Sequence, residues 1–201
     1  MTKAKELSEL ASAATVTSGN VALSGGLDVD GTTDLDVVDI DGAANFAADV
    51  TFANGADIIT ASAGTSNVRV GVNAGNSIAS GGNYNTAVGD EAGTAITTGT
   101  VNTFVGYASG DATTTSGNNV GVGYASLGTN ILSSKNVAIG NNALKTHNLA
   151  SAGEGLNVAV GHGAGEEITT GGRHTLMGYA SGSALIDPDR NVAFGYGSLQ
   201  T

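Results

Sequence analysis

The chain is poor in the residues from which most enzymes build their sites and cores. Among its 201 residues there are no cysteines, no tryptophans and one proline, and aromatic residues make up 4%. The lack of cysteine excludes disulfides and thiolate metal sites, and it fits synthesis in a reducing cytosol. A large apolar side chain contributes about 1.5–3 kcal/mol when fully buried. Because such side chains are few, the core must be thin or shared between chains.

Cations and long apolar runs are also scarce. Seven Lys and Arg stand against 18 Asp and Glu, which gives a net charge of −11. Nucleic-acid binding needs clustered cations, so we expect no nucleic-acid partner. No apolar run reaches the roughly 18 residues of a transmembrane helix. The opening MTKAKELSEL has no apolar core of a secretory signal peptide. We therefore expect neither membrane insertion nor secretion.

Residues 1–15 form the first of three zones. Alanine and leucine recur there at the three- and four-residue spacing of an amphipathic helix, with Lys and Glu between them. A helix of this length is marginal alone in water. We predict that it attaches the chain to another protein or nucleates a trimer. The alternative is a frayed terminus.

Residues 16–66 alternate apolar and polar side chains, as strands with one buried face do. This zone holds eight Asp and no Lys or Arg, and we predict a β-rich shaft. Calcium is bound by several oxygen atoms at once. Such oxygens could come from the carboxylates of Asp28, Asp30 and Asp34, which lie close together in sequence. Neither the EF-hand spacing nor the glycine-rich nonapeptide of calcium-binding β-rolls is present. We favour solvent-facing strand positions for these carboxylates, and calcium binding stays open.

Residues 67–201 repeat one phrase eight times. When the phrases are aligned on a central glycine, the gaps are 17 residues, except for the first, of 18, and the fifth, of 21. The central glycines are Gly71, Gly89, Gly106, Gly123, Gly140, Gly161, Gly178 and Gly195. Four residues earlier stand Asn67, Asn85, Asn102, Asn119, Asn136, Asn157, His174 and Asn191. A hydrophobic residue directly precedes each glycine, and Ala or Ser stands three residues after it.

The period predicts the architecture. Seventeen residues are too few for a helix pair or a propeller blade, but they suffice for one coil of a parallel β-solenoid with two short strands and two turns. The residues one and three positions before the glycine share a strand face and can stack from coil to coil. Glycine permits close backbone approach. The asparagines can form hydrogen bonds between coils at a turn, where they also tolerate left-handed geometry.

The dimensions expected for the coils indicate that several chains associate. At roughly 4.8 Å per coil, the eight repeats would make a rod about 40 Å long. So slim a coil has little interior volume, and we expect several chains to pack side by side. The 21-residue gap contains KTHNLASAGEGL and is interpreted as the usual turn lengthened by four residues. Such insertions emerge on one face of a solenoid.

The phrases NVAIG, NTAVG, NVAVG and NVAFG resemble the repeat in the heads of trimeric autotransporter adhesins of the YadA kind. The resemblance covers residues 67–201 and implies an all-β fibrous homotrimer of left-handed parallel β-rolls. The period here is longer than in those heads, and we find no secretory signal or C-terminal membrane anchor. The same repeats occur in bacteriophage tail fibres. The opening TKAKELSELA and the DVDGTTDLDV-like units are similar to fibre and structural proteins of marine phages, particularly cyanophages.

The resemblance implies a structural and adhesive role on the virion. We favour a phage tail fibre, assembled in the host cytoplasm, over the head of a bacterial surface adhesin. The implied partners are copies of the chain itself, other virion proteins at the N-terminus, and a glycan or protein of the host surface. A distant alternative is a monomeric β-solenoid with enzymatic or ice-binding activity. The threonines of this chain, however, do not form the regular rows at one repeat position that ice binding needs.

No enzyme site or cofactor is predicted. The fragments GVGYAS and GHGAGE lack the following helix that a dinucleotide fingerprint requires. No His has both a Ser and a carboxylate nearby in sequence. The residues of a catalytic triad can be distant in sequence and meet only in the fold, so the sequence leaves a triad open. A glycosidase needs carboxylates in an aromatic-lined cleft, which this composition hardly furnishes. His174 near a threefold axis could bind a metal with its copies. A simple substitution at a turn is favoured, and no metal site is predicted.

Four tyrosines occupy the position directly after the central glycine. They are Tyr107, Tyr124, Tyr179 and Tyr196. As two pairs in adjacent repeats, they are predicted to stack as ladders. The ladders could bind a sugar or a protein, or they could stabilise neighbouring coils or the contact between chains. We favour the structural role. His162 occupies the same position in another repeat, and the variety at this position predicts exposure.

Overall fold

The computed structural model describes residues 62–186 and 189–200, which belong to the compact unit Phe52–Thr201. The predicted N-terminal helix, residues 1–15, lies outside the described residues. So do residues 16–61 of the predicted shaft. The fold described below is that of the repeat zone.

The described residues form ten strands and no helix. The strands are β1 (Val68–Val70), β2 (Thr86–Val88), β3 (Thr103–Val105), β4 (Val120–Val122), β5 (Ser133–Ser134), β6 (Val137–Ile139), β7 (Gly153–Glu154), β8 (Val158–Val160), β9 (Thr175–Met177) and β10 (Val192–Phe194). One parallel sheet has the order β1-β2-β3-β4-β6-β8-β9-β10, and β5 pairs with β7. Successive coils thus contribute successive strands. The predicted parallel β-solenoid is confirmed, with about seven turns.

The sheet keeps every repeat position in register. Val88 pairs with Val105 across regular coils, and Val137 pairs with Val158 across the 21-residue coil. The four extra residues therefore do not shift the sheet. They lie between β6 and β8, where the chain also forms β7 and its short parallel pairing with β5.

The prediction of two strands in every coil is wrong. Most described coils have one three-residue strand, and β5 and β7 are the two-residue additions. Each coil has left-handed residues at several positions, for example Ala108 and Gly110, and these bend the backbone before a second strand can extend. Hydrogen bonds still join the coils there, with 2.9 Å from Thr97 N to Thr114 O.

The central glycines stack in close contact. Gly89 and Gly106 have φ of 131° and 128°, which L side chains rarely adopt. A Cβ at Gly89 would lie 2.6 Å from the carbonyl oxygen of Gly106. Both the backbone angle and the available space therefore require glycine, in agreement with the close approach predicted from the repeat.

The core is thin and is filled by compensation between two interior positions. The middle residue of each strand points inward, and so does the fourth residue after the central glycine. Phe104 fills the first position, and a Cβ at Gly110 in the same coil would overlap its ring. One coil later the arrangement is reversed, with Gly121 in the strand and the buried Leu127 at the other position. Where both positions are small, as at Ala87 and Gly93, a buried isoleucine seven residues after the central glycine, here Ile96, fills the coil instead. Each coil thus holds at least one large side chain, as expected of interiors packed to a constant density.

Candidate functional site

The predicted asparagines form a buried ladder along the solenoid. The backbone N–H of Asn102 donates to Asn85 Oδ1 at 3.0 Å, and that of Asn119 donates to Asn102 Oδ1 at 3.1 Å. Asn85 Nδ2 also donates across the coil to Gly99 O at 2.9 Å. These amides satisfy buried backbone groups that would otherwise cost roughly 1–3 kcal/mol each. The ladder holds the coils together and is closed to ligands.

His174 takes the place of one asparagine in this ladder. Its backbone N–H donates to Asn157 Oδ1 at 3.0 Å, and its Nδ1 accepts the backbone N–H of Asn191 at 3.2 Å. The ring nitrogen therefore replaces the amide oxygen. The side chain is buried inside its own coil stack, so it cannot meet copies of itself at a threefold axis. The favoured interpretation, a structural substitution, agrees with this geometry.

A second histidine, His147, is buried in the 21-residue coil. Its Nε2 lies 2.9 Å from Ser133 Oγ and 3.2 Å from Asn157 Nδ2. An amide NH₂ only donates, so Nε2 is an acceptor and the ring is neutral. Burial lowers the pKa of His147 to about 4, and the nearby His174 acts in the same direction, while a backbone hydrogen bond with Thr169 opposes them.

Ser133 and His147 have the spacing of a nucleophile and its base. Sequence reasoning did not pair them, because they are 14 residues apart and meet only through the register of the coils. Both side chains have no exposed surface. A substrate cannot reach them, and we interpret the pair as part of the core.

One organised surface of the solenoid is the outward side of the main sheet. It consists of the first and third residues of each strand, which we call the outer columns. The first column is Val68, Thr86, Thr103, Val120, Val137, Val158, Thr175 and Val192. The second is Val70, Val88, Val105, Val122, Ile139, Val160, Met177 and Phe194. No outer-column residue is charged and none is buried, and Val70 and Phe194 are 55% and 63% exposed.

An exposed aromatic column runs beside this face, at the position after the central glycine. Tyr107 and Tyr124 stack with ring centroids 5.4 Å apart and planes at 16°. Tyr179 and Tyr196 stack at 5.1 Å and 7°. His162 extends the second stack, with its ring 5.1 Å from that of Tyr179. Its membership in the ladder was not predicted, although it shares the repeat position of the tyrosines. Stacked rings cover one another's faces and leave mainly their edges to solvent.

Residues 62–186 and 189–200 bring together no group of three or more His, Asp or Glu that could hold a metal ion. Within the same ranges no helix has the length and apolar character to cross a membrane. The outer columns and the aromatic column are therefore the candidate functional surface.

Comparisons of the chain with protein-family models, curated proteins and solved structures gave no match.

Proposed function

We propose that this protein is a structural and adhesive fibre component that functions as a homotrimer. In its most specific form the proposal is a segment of a phage tail fibre that projects from the virion and contacts the host cell surface. The observation that carries this proposal is the composition of the outer columns. They present an uncharged, largely apolar sheet face along the whole described solenoid, on a chain whose net charge is −11.

This face suits association between copies of the chain. Copies that each carry a charge of −11 repel one another, and a surface that lacks carboxylates lets them approach with less repulsion. Apolar area removed from water contributes roughly 25 cal/mol per Å². Eight in-register strands extend this patch over about 34 Å, and contiguous apolar patches of a few hundred Å² on a soluble protein are often functional.

The thin core supports the same proposal. Each coil buries few large side chains, and the β-branched residues of the strands face outward rather than into the coil. In a bundle of copies, these side chains form a second core between the chains. The adhesin head has the same architecture and remains the alternative; it requires a secretion route and a membrane anchor, whereas the fibre requires attachment to other virion proteins.

Native mass in solution tests the proposal. Light scattering on the purified chain is expected to give about three times 19.5 kDa. Val122→Glu places a carboxylate in the middle of the outer face and is expected to shift the mass toward the monomer. Thr115→Glu is the matched control, because Thr115 is exposed but lies outside the outer columns. Its mass should stay trimeric.

The outcomes separate the candidate functions. A folded wild-type monomer overturns the trimeric fibre and favours the monomeric solenoid with enzymatic or ice-binding activity. For a trimer, antibody labelling of purified virions distinguishes the two fibrous candidates. Labelled tails support the phage fibre, and labelling confined to the bacterial surface supports the adhesin.

A further inference from the structure

A column of strained residues borders the outer face. Directly before each ladder residue, the backbone is left-handed, with φ between 55° and 62°. We call these residues the corner column: Ser66, Tyr84, Val101, Asn118, Lys135, Leu156, Arg173 and Arg190. This conformation suits glycine and asparagine and is unfavourable for other L-residues, above all β-branched ones. The sequence pattern indicated only that the ladder asparagines tolerate left-handed geometry, and the structure places this geometry one residue earlier.

A second left-handed corner in the same coils shows that the strain is avoidable. It lies two residues after the central glycine and is occupied by Asn73, Glu91, Ala108, Ala125, Asn142, Gly163, Ala180 and Gly197. These residues are small or are asparagine, apart from Glu91, which accepts a hydrogen bond from Asn73 Nδ2 at 2.8 Å. In the corner column only Ser66 and Asn118 follow this preference. Strain that persists where a preferred residue is available indicates that the side chain serves a purpose.

That purpose is not packing within the chain. Tyr84, Val101 and Leu156 are 62%, 49% and 38% exposed. Large apolar side chains are thus held in an unfavourable backbone conformation and are presented to solvent. They stand two residues before the strands, so they widen the apolar surface of the outer columns on one side.

Charge identifies the partner as a second copy of the chain. The corner column contains no acid, and it carries Lys135, Arg173 and Arg190, all of them exposed. Lys135 pairs with Glu154 of its own chain. The column is uncharged in its first half and mostly cationic in its second half, and its exposed apolar side chains Tyr84, Val101 and Leu156 lie in both. Such a surface fits an acidic partner with an apolar stripe. The chain itself, at −11, is such a partner.

Area supports the same partner. The outer columns alone cover roughly 34 Å by 10 Å, or about 340 Å², which is less than half of the roughly 800 Å² per partner of a standard interface. From the corner column to the aromatic column, the width is about 20 Å and the area about 680 Å². With the corner column included, the face approaches the size of a specific interface.

We propose that the corner column is a contact surface through which copies of this chain pack against one another, and that its strain is retained for that contact. The inference rests on the proposed trimer. It predicts opposite effects of one change on two properties. Replacement by asparagine relieves the strain within each chain and removes the side chains that join the chains.

The test uses the triple variant Tyr84→Asn, Val101→Asn and Leu156→Asn in the full chain. Asn118 shows that the column accepts asparagine. Sedimentation equilibrium over a dilution series is expected to show a dissociation constant at least tenfold higher than that of wild type. In the Val122→Glu background, the same three changes are expected to leave the thermal midpoint unchanged or to raise it by a few degrees. Val101→Asn alone, which removes the most strained residue, should show both effects to a smaller extent.

Ala125→Asn is the matched control. It relieves a left-handed residue at the second corner, where Asn73 and Asn142 already occur, and it should leave association unchanged. An unchanged dissociation constant in the triple variant overturns the corner contact while the trimer stands. A lower midpoint in the Val122→Glu background overturns the claim of strain. A monomeric wild type overturns both the proposed trimer and this inference.

Discussion

The regular coils and the 21-residue coil solve the same packing problem with different interiors. The seventh residue after the central glycine points inward in each coil. It is isoleucine or leucine toward both ends of the solenoid, as at Ile96 and Ile168, whereas Thr113, Asn130 and His147 occupy it in the middle coils. The interior is thus already polar in two regular coils before the chain lengthens, and in the 21-residue coil His147 forms hydrogen bonds with Ser133 and Asn157. The sheet runs unshifted through both kinds of coil. Repeat length and core chemistry can therefore vary as long as the strands and the ladder keep their register.

The largest effect is expected from truncating a buried side chain in each of the two kinds of coil. Phe104→Ala in a regular coil should lower the free energy of unfolding by about 3–5 kcal/mol, and Leu144→Ala in the long coil by about 2–5 kcal/mol. Both side chains are fully buried, and a cavity remains after each change. Urea unfolding followed by circular dichroism measures both. A loss under about 1 kcal/mol for Leu144→Ala alone would mean that the long coil is loosely packed.

Acidification should weaken the long coil in particular. The pKa of His147 is lowered from 6.5 to about 4, chiefly by burial. Between these pH values the unfolded chain binds a proton that the folded chain does not, so stability is complete above about pH 6.5 and falls as the pH drops toward 4. The loss from this group levels off below the folded pKa and amounts to about 3 kcal/mol. Urea unfolding at pH 7 and at pH 4.5 measures it.

His147→Asn is the control for this pH dependence. Asn130 occupies the same interior position one coil earlier, so the replacement keeps a polar side chain and removes the titration. The difference in stability between pH 7 and pH 4.5 should shrink by most of the histidine contribution. If the variant keeps the full wild-type pH dependence, the carboxylates and not His147 determine it.

Spacing along the chain was enough to predict the columns but not the direction in which they point. The asparagines and glycines recur at constant intervals, and a solenoid converts constant intervals into stacks. Which strand face is inward depends on the width of the coil, which no local pattern reports. The narrow coil admits Ala138 and Gly121 and turns the larger Val137 outward, in contrast to the usual preference for burying β-branched residues.

Two further features could not be predicted, because tertiary register decides them. Ser133 meets His147 only because one coil stacks on the next. Val101 adopts a left-handed conformation against its own preference, and sequence reasoning therefore considered that conformation only for the neighbouring asparagine. In both cases local propensity gives way to the geometry of the stack.

The smallest effect is expected from the ion pair that joins β5 and β7 beside the long coil. Lys135 and Glu154 are both about half exposed, and pairs of this kind contribute roughly 0–1 kcal/mol, because water screens them and ordering two long side chains costs entropy. Lys135→Ala should therefore lower the free energy of unfolding by no more than about 0.5 kcal/mol, as measured by urea unfolding in low salt. Glu154→Ala should match it, and the double variant should add little further. A loss several times larger would show that β5 and β7 depend on this pair, and that the long coil is held by its surface rather than by the buried contacts of His147.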